Sequence, residues 1–329
     1  GTGATGVTGT TGGLLVGNCG EVALKNAQMC NLTTCNLMAA TDQQDLEEFI
    51  QAASFIGTLQ ASYTDFHYLR HIWRTTTEKE ALLDVSMTGI AGSNYEQFNF
   101  KKAAELAVET NVHLAAKLGI NRASRVTCIK PEGTTSLALG AVTSGIHPAW
   151  NKYTARRIQL LKTEPLYQYL LQEMPNLLEN DINKPDQQAF AILPIEYPDT
   201  AIFRDEPALD LLNRISKFYN EWIIPGHISG HNTHNVSSTV YVKENEWEEV
   251  VDWMWVNRNS YSSITVLPHD GGKYKQAPFT DISKKEYNRL YGLVKDMDLS
   301  KVSVNTESSE RQHEVACTGG KCDIQFLTY

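Results

Sequence analysis

Apolar residues recur at helical spacing over residues 42–63. Leu46, Phe49, Ile50, Ala53 and Ile56 share one face behind a capping Thr41 or Asp42 and an acidic first turn, which predicts an amphipathic helix. A second helix is predicted to start at Thr77 and run through Leu83 into the apolar, glycine-containing Val85-Ser-Met-Thr-Gly-Ile90. Residues 100–118 carry the clearest helical pattern, closed by Gly119. A short strand over 125–129 then delivers the turn Lys130-Pro-Glu-Gly-Thr-Thr-Ser136. Further helices are predicted over 165–174, 208–222, 244–257 and 283–295, with strands over 235–242 and 262–267. Strands alternating with longer helices predict an α/β architecture with mainly parallel pairing.

The two ends depart from this pattern. Residues 1–18 hold no charged side chain and are mostly Gly and Thr, with Gly3, Gly6, Gly9 and Gly12 three apart. Such a segment buries too little apolar surface to offset its ordering entropy, and four proline-free triplets are too short for a collagen-like arm. It reads as a flexible lead, or as sequence foreign to the rest. Residues 304–329 are polar and read as a mobile tail, leaving 19–303 as the folded body. The 329 residues are 42% hydrophobic and 20% charged, an ordinary globular composition. A formal charge of −9 argues against a nucleic-acid-binding surface. No apolar run approaches the ~20 residues of a membrane span, and there is no basic start with an apolar core to make a signal peptide. A soluble, cytoplasmic protein is the expectation.

Six cysteines, Cys19, Cys30, Cys35, Cys128, Cys317 and Cys322, are too few for a disulfide scaffold in a chain this long, and so suggest redox or metal chemistry. Cys317 and Cys322 enclose four residues with no second knuckle nearby, a poor zinc pattern. Cys19 stands two residues before Glu21 and eleven before Cys30. One thiol can hold reactive sulfur, the carboxylate can move protons, and the second thiol can supply electrons through a disulfide. A short strand with two small buried hydrophobes is the plainer alternative. Cys317-Thr-Gly-Gly-Lys-Cys322, on a flexible end with two glycines to close the loop, suits a dithiol that carries electrons between partners. The turn Pro131-Glu-Gly-Thr-Thr-Ser136 either cradles a phosphate with its N–H groups and hydroxyls or simply caps a helix. It is not a Walker motif. His227, His231 and His234 lie close in sequence, but a turn leading into the 235–242 strand explains them as well, and no metal is assigned.

Several stretches together resemble the adenosylcobalamin-dependent (class II) ribonucleoside-triphosphate reductases. They are Cys19-Gly-Glu-Val-Ala-Leu, Gln28-Met-Cys-Asn-Leu-Thr33, Gly57-Thr-Leu-Gln-Ala-Ser-Tyr-Thr-Asp65, Val85-Ser-Met-Thr-Gly-Ile90, Lys130-Pro-Glu-Gly-Thr-Thr-Ser-Leu137, Gly230-His-Asn-Thr-His-Asn-Val236, Gln276-Ala-Pro-Phe279 and Ala316-Cys-Thr-Gly-Gly-Lys-Cys322. The resemblance implies part of a ten-stranded α/β barrel with a flexible C-terminal redox tail. It implies reduction of ribonucleoside triphosphates to 2′-deoxyribonucleotides for DNA synthesis, with adenosylcobalamin as cofactor. Cys19 falls on the position of the radical-bearing cysteine that takes the 3′-hydrogen. Glu21 matches the carboxylate that takes the 3′-hydroxyl proton, and Cys30 matches one of two thiols that reduce the 2′ position. Pro131, Gly133, Thr134, Thr135 and Ser136 match the substrate-phosphate loop. Cys317 and Cys322 match the swinging dithiol, re-reduced by a thioredoxin-type partner.

The chain departs from the family pattern in three ways. Gly17 stands where the family has an asparagine two residues before the radical cysteine, and Asn18 is displaced by one. Glu132 stands where the phosphate loop commonly has serine. The stretches cover only the C-terminal half of a family enzyme, so an N-terminal half is an expected partner and the chain alone is expected to be inactive. Leu14-Leu-Val-Gly-Asn18 before Cys19 resembles the end of an intein without its penultimate histidine; a misjoined reading frame is the alternative.

Overall fold

A computed structural model describes residues 20–140, 142–269 and 275–302, together with the backbone of Leu14–Val16. Cys19, Cys317 and Cys322 therefore lie outside the described residues. The strands, in chain order, are β1 (Leu14–Val16), β2 (Ala23–Lys25), β3 (Asn31–Asn36), β4 (Leu83–Thr88), β5 (Tyr153–Leu161), β6 (Leu178–Asn180), β7 (Gln188–Glu196), β8 (Thr239–Val242), β9 (Thr265–Pro268) and β10 (Phe279–Asp281). The helices are α1 (Gln43–Ala61), α2 (His71–Glu80), α3 (Phe100–Leu118), α4 (Thr135–Ala138), α5 (Pro165–Glu173), α6 (Ala208–Phe218), α7 (Trp247–Val256) and α8 (Lys284–Val294). They fall into two compact units, one of residues up to 149 with 200–269, the other of 150–199 with 275–302.

The first unit is built on parallel strands. β3 pairs with β4 from Asn31↔Leu83 to Asn36↔Thr88. The stretch 125–129 joins β4 through the parallel bridge Val85↔Thr127, and 235–242 joins it in turn through Ile129↔Val236. β8 then pairs with β9. Five parallel stretches thus run side by side, as the alternation of strands and helices predicted. Among the described residues these sheets are not closed into a barrel.

Alternation along β4 separates two faces, because successive side chains point to opposite sides of a strand. Leu83, Val85 and Met87 join the apolar core, against Leu46 and Ile50 of α1 and Phe100, Ala103 and Ala107 of α3. Each fully buried Leu or Ile there contributes roughly 1.5–3 kcal/mol. Asp84, Ser86 and Thr88 alternate with them and are also wholly buried, on a polar face. α1 begins where Asp42 accepts from the Asp45 N–H at 3.0 Å, and α3 ends at Gly119 with φ +69, both as predicted. Small residues on α3 let the two helices approach, and Ser54 donates to the Ala107 carbonyl at 2.7 Å.

Two expectations need correction. The helix placed at 77–83 is instead α2, ending at Glu80 because Ala81 turns left-handed at φ +44, and Leu83 already belongs to β4. The second unit was not foreseen as antiparallel: its sheet runs β10-β5-β7-β6. The adjacent arginines Arg156 and Arg157 and a proline, Pro194, within β7 interrupt the alternation that marks a strand. α5 and α8 contribute Leu170 and Leu290 to its core.

Candidate active site

The polar face of the parallel sheet gathers several of the sequence-predicted residues. Gly20 takes φ +76, a conformation that favours glycine, and so turns the chain into Glu21. Asn235, at the start of the fourth parallel stretch, holds this turn in place. Its backbone N–H donates to the Glu21 carbonyl at 2.8 Å and its side-chain amide donates to the Gly20 carbonyl at 3.1 Å. The same amide donates to Ser263 Oγ at 2.7 Å and accepts from the Ser263 N–H at 3.2 Å, which fixes its orientation. Sequence reasoning placed Asn235 only at the start of the 235–242 strand; its cross-strand partners are distant in sequence.

Glu21 is 8% exposed and its Oε2 has no hydrogen-bond partner. Burial raises its carboxyl above the ordinary range, a hydrogen bond from backbone and the Lys130 charge pull the other way, and Glu132 adds to the rise. A carboxylate made more basic by burial, with a free oxygen, suits a proton acceptor.

Cys30 precedes β3 and lines a cavity of about 370 Å³ with Met29, Leu32, Tyr63 and Phe66. The segment is pinned on both sides: the Met29 N–H donates to Thr77 Oγ1 at 3.1 Å and the Asn31 N–H to the Leu82 carbonyl at 3.0 Å. Cys30 keeps some exposed surface as a residue, yet burial of its thiol, followed by the Asp84 charge, pushes the thiol well above the usual range. It is held as a thiol rather than a thiolate. Behind it, Glu80 accepts from Gln28 at 2.7 Å and from Arg125 at 2.8 Å, and pairs with Lys25. Arg125 continues to the Asn232 carbonyl at 2.8 Å.

The 130–136 turn sits at the same face. The Lys130 N–H donates to Ser86 Oγ at 2.9 Å, and the Ser136 N–H closes the turn on the Glu132 carbonyl at 3.0 Å. Glu132, whose charge stood out beside a phosphate loop, adopts φ +55 and is only 6% exposed. Its carboxylate accepts from Thr34 Oγ1 at 2.6 Å and pairs with Lys130 at 3.2 Å, which offsets its charge. Gly133 and Thr134 are exposed, Pro131 and Thr135 are half-buried, and Ser136 is buried.

Asp84 escaped the sequence reading. It is 0% exposed and neither carboxyl oxygen has a partner. A lone acidic residue in the run Leu82-Leu-Asp-Val-Ser-Met87 was the available signal. The histidine cluster is dispersed in its roles. His234 Nδ1 lies 3.2 Å from the Thr127 carbonyl and burial lowers its pKa to about 3, while His227 Nε2 lies 3.1 Å from the Gly230 carbonyl. Among the described residues no group of three or more His, Cys, Asp or Glu is placed to hold a metal ion.

Glu21, Cys30 and the 130–136 turn are thus all carried by the first unit, and comparison with solved structures identifies its fold. The crystal structure of a B12-dependent (class II) ribonucleotide reductase superimposes with a TM-score of 0.69 at 19% identity, covering 87% of this chain and 43% of the other. In sequence, the chain matches the adenosylcobalamin-dependent (class II) ribonucleoside-triphosphate reductases as a partial homologue. It is 24% identical over 348 residues to the adenosylcobalamin-dependent ribonucleoside-triphosphate reductase of Lactobacillus acidophilus and 25% identical over 348 residues to that of Lactobacillus helveticus. The Lactobacillus leichmannii reductase of the same name is 24% identical over 347 residues. Each alignment takes in 93% of this chain but 45% of the relative, so the chain spans about half the length of these proteins. No family model matches the chain.

Proposed function

We propose that this chain is the C-terminal, substrate-reducing part of a ribonucleoside-triphosphate reductase, a fragment of the ten-stranded barrel that acts only once a separate N-terminal half completes the site. The observation that carries this reading is Glu21, buried with a raised carboxyl and a free oxygen, and seated by Asn235 on the face that also presents Lys130 and the 130–136 turn. Gly133, Thr134 and Thr135 then face the triphosphate, with Pro131 and Ser136 shaping the turn. A thiyl radical on Cys19 takes the 3′-hydrogen of the ribose, and Glu21 takes the 3′-hydroxyl proton. The 2′-hydroxyl leaves as water while Cys30 and a second thiol, supplied by the missing half, give up two electrons and become a disulfide. The 3′-hydrogen returns to the sugar. Cys317 and Cys322 reduce that disulfide by thiol exchange and are themselves reduced by a thioredoxin-type dithiol.

Adenosylcobalamin stands in the names of the matched relatives and is the radical source in this reading. No step here runs through it. No helix of the described residues is long and apolar enough to cross a membrane, which fits a cytoplasmic reductase.

The test is formation of 2′-deoxynucleotide from ribonucleoside triphosphate with adenosylcobalamin and a dithiol reductant. The purified chain alone should give none, and adding the N-terminal half of a class II reductase should restore it. Turnover by the chain alone would overturn the incompleteness. Absence of both turnover and nucleotide binding in the complemented mixture would overturn the reductase reading.

A further inference from the structure

The 130–136 turn is held from both ends by one strand, and the second hold runs through a histidine that the proposed chemistry does not use. On entry, Ile129 donates its N–H to the Asn235 carbonyl at 3.1 Å and accepts from the Ser237 N–H at 2.9 Å. On exit the chain returns as the stretch 142–147, which packs on the turn. Ser144 Oγ donates to the Pro131 carbonyl at 2.5 Å, and Gly145 sits so close to Lys130 that a Cβ would stand 2.3 Å from its carbonyl oxygen. His147 ends this stretch. Its Nε2 accepts from the N–H of Thr239, the first residue of β8, at 3.1 Å, and its Nδ1 lies 3.1 Å from the Ser144 carbonyl. A backbone N–H can only donate, so Nε2 is bare and the ring's proton sits on Nδ1, where it bonds Ser144. Burial lowers the ring's pKa and keeps it neutral. Arg214, which donates to the Ile146 carbonyl at 3.3 Å and is itself paired with Glu206, pushes the same way.

We propose that His147 is a positioning residue that pins the 142–147 stretch to the 235–242 strand and thereby holds the 130–136 turn in place for a triphosphate. The inference rests on the reductase reading above, in which this turn faces the triphosphate. The same strand seats Glu21 through Asn235, so one element sets the place of both the proton acceptor and the phosphate turn. Groups that must meet a ligand together need such a shared, bonded support. Thr143 and Gly145 also tie the stretch to the end of β4: Thr88 Oγ1 donates to the Thr143 carbonyl at 2.9 Å and accepts from the Gly145 N–H at 3.0 Å. Loss of the His147 bonds therefore loosens the turn on its β8 side rather than releasing it. The effect should be that of one or two hydrogen bonds.

The test is hydrogen exchange of the full chain, read by mass spectrometry, in native protein, His147→Phe and His147→Gln. Phenylalanine fills the ring's volume and makes neither bond, whereas glutamine can place a carbonyl oxygen where Nε2 stands and keep the tie to Thr239. The Ser136, Leu137, Ala138 and Leu139 N–H groups are bonded within the turn and the short helix it opens, so they report its order. His147→Phe should speed their exchange about three- to tenfold, with α1 and α3 unchanged, and His147→Gln should stay within about twofold of native. In the complemented enzyme, His147→Phe should raise KM for ATP about three- to tenfold and leave kcat within about twofold. Unchanged exchange in His147→Phe, or exchange raised equally in α1 and α3, would overturn the pin and leave the reductase reading standing. Faster local exchange with KM unchanged would overturn its service to triphosphate binding. Absence of both turnover and ATP binding in the native complemented mixture would remove the reductase reading, and the substrate role of His147 with it.

Discussion

Replacing Arg125 by methionine should loosen the segment that presents Cys30. Arg125 is 4% exposed at its side chain and donates to Glu80, itself 12% exposed, at 2.8 Å. Glu80 in turn holds Lys25 and Gln28, on the chain leading into Cys30. At an effective dielectric of about 20, unit charges about 4 Å apart attract by roughly 4 kcal/mol, and part of that offsets desolvation. Breaking one side of a buried pair typically costs 3–5 kcal/mol because a buried charge is stranded. Here Lys25 remains on Glu80, but its side chain is 47% exposed and its attraction is screened. The net loss should therefore be about 2–3 kcal/mol, or a fall of roughly 4–12 °C in thermal midpoint for a unit of this size. Urea unfolding at pH 7 measures the first quantity. The second readout is the labelling rate of Cys30 by a thiol reagent, with Cys19, Cys317 and Cys322 changed to serine; it should rise as the segment opens. Adding Glu80→Gln to Arg125→Met removes the stranded charge and should recover at least about 1 kcal/mol. A loss below about 0.5 kcal/mol with unchanged labelling would refute the network as the support of Cys30.

Three further outcomes follow from the same geometry. Gly145 has φ +54, and a Cβ there would stand 2.3 Å from the Lys130 carbonyl oxygen, so Gly145→Ala should cost about 1–3 kcal/mol in urea unfolding and weaken triphosphate binding by displacing the 130–136 turn. Asn235→Ala should cost about 1–3 kcal/mol, since it leaves the Gly20 carbonyl and Ser263 without their partner, and should lower turnover of the complemented enzyme more than it raises KM. His234, lowered by burial first and the Arg125 charge next to about 3, binds no proton in the folded state at pH values where the unfolded chain does. Its contribution to stability is complete above the unfolded pKa of about 6.5 and is lost as pH falls from there towards 3, so His234→Gln should flatten the urea midpoint across pH 4–6.5. An unchanged slope in that window would sink the assignment.

Much of the helical framework was legible in the chain because its signals are local. Asp42 caps α1 and Gly119 stops α3 through bonds and backbone angles set within a few residues. The run from Cys19 to Cys30 and the 130–136 turn stood out for the same reason, since two thiols with a nearby carboxylate, and a hydroxyl cluster beside Gly133, are visible as residue types at short spacing. α2 was misplaced because nothing in Ala81 itself announces a left-handed backbone. The antiparallel sheet of the second unit was hidden because its pairing joins strands far apart in the chain, with charged side chains on their partly buried faces.

What the amino-acid sequence determined alone was the inventory: an α/β chain, a cysteine–carboxylate segment, a hydroxyl-rich turn around Gly133 and two cysteines near the end. Which of these groups meet, and in what state of charge, was decided only by the tertiary structure. Glu132 would be a repulsive charge beside a phosphate, but a positive φ turns it onto Thr34 and Lys130. Asp84 would be an ordinary acidic residue, but β4 buries it with no partner among Glu21, Glu132 and Lys130. Asn235 would be the first residue of a strand, but strand order carries it to the carbonyls of Gly20 and Glu21. Burial and electrostatic neighbourhood depend on residues brought together from distant parts of the chain, and those two quantities set whether a carboxyl holds a proton, accepts one or pairs with a cation.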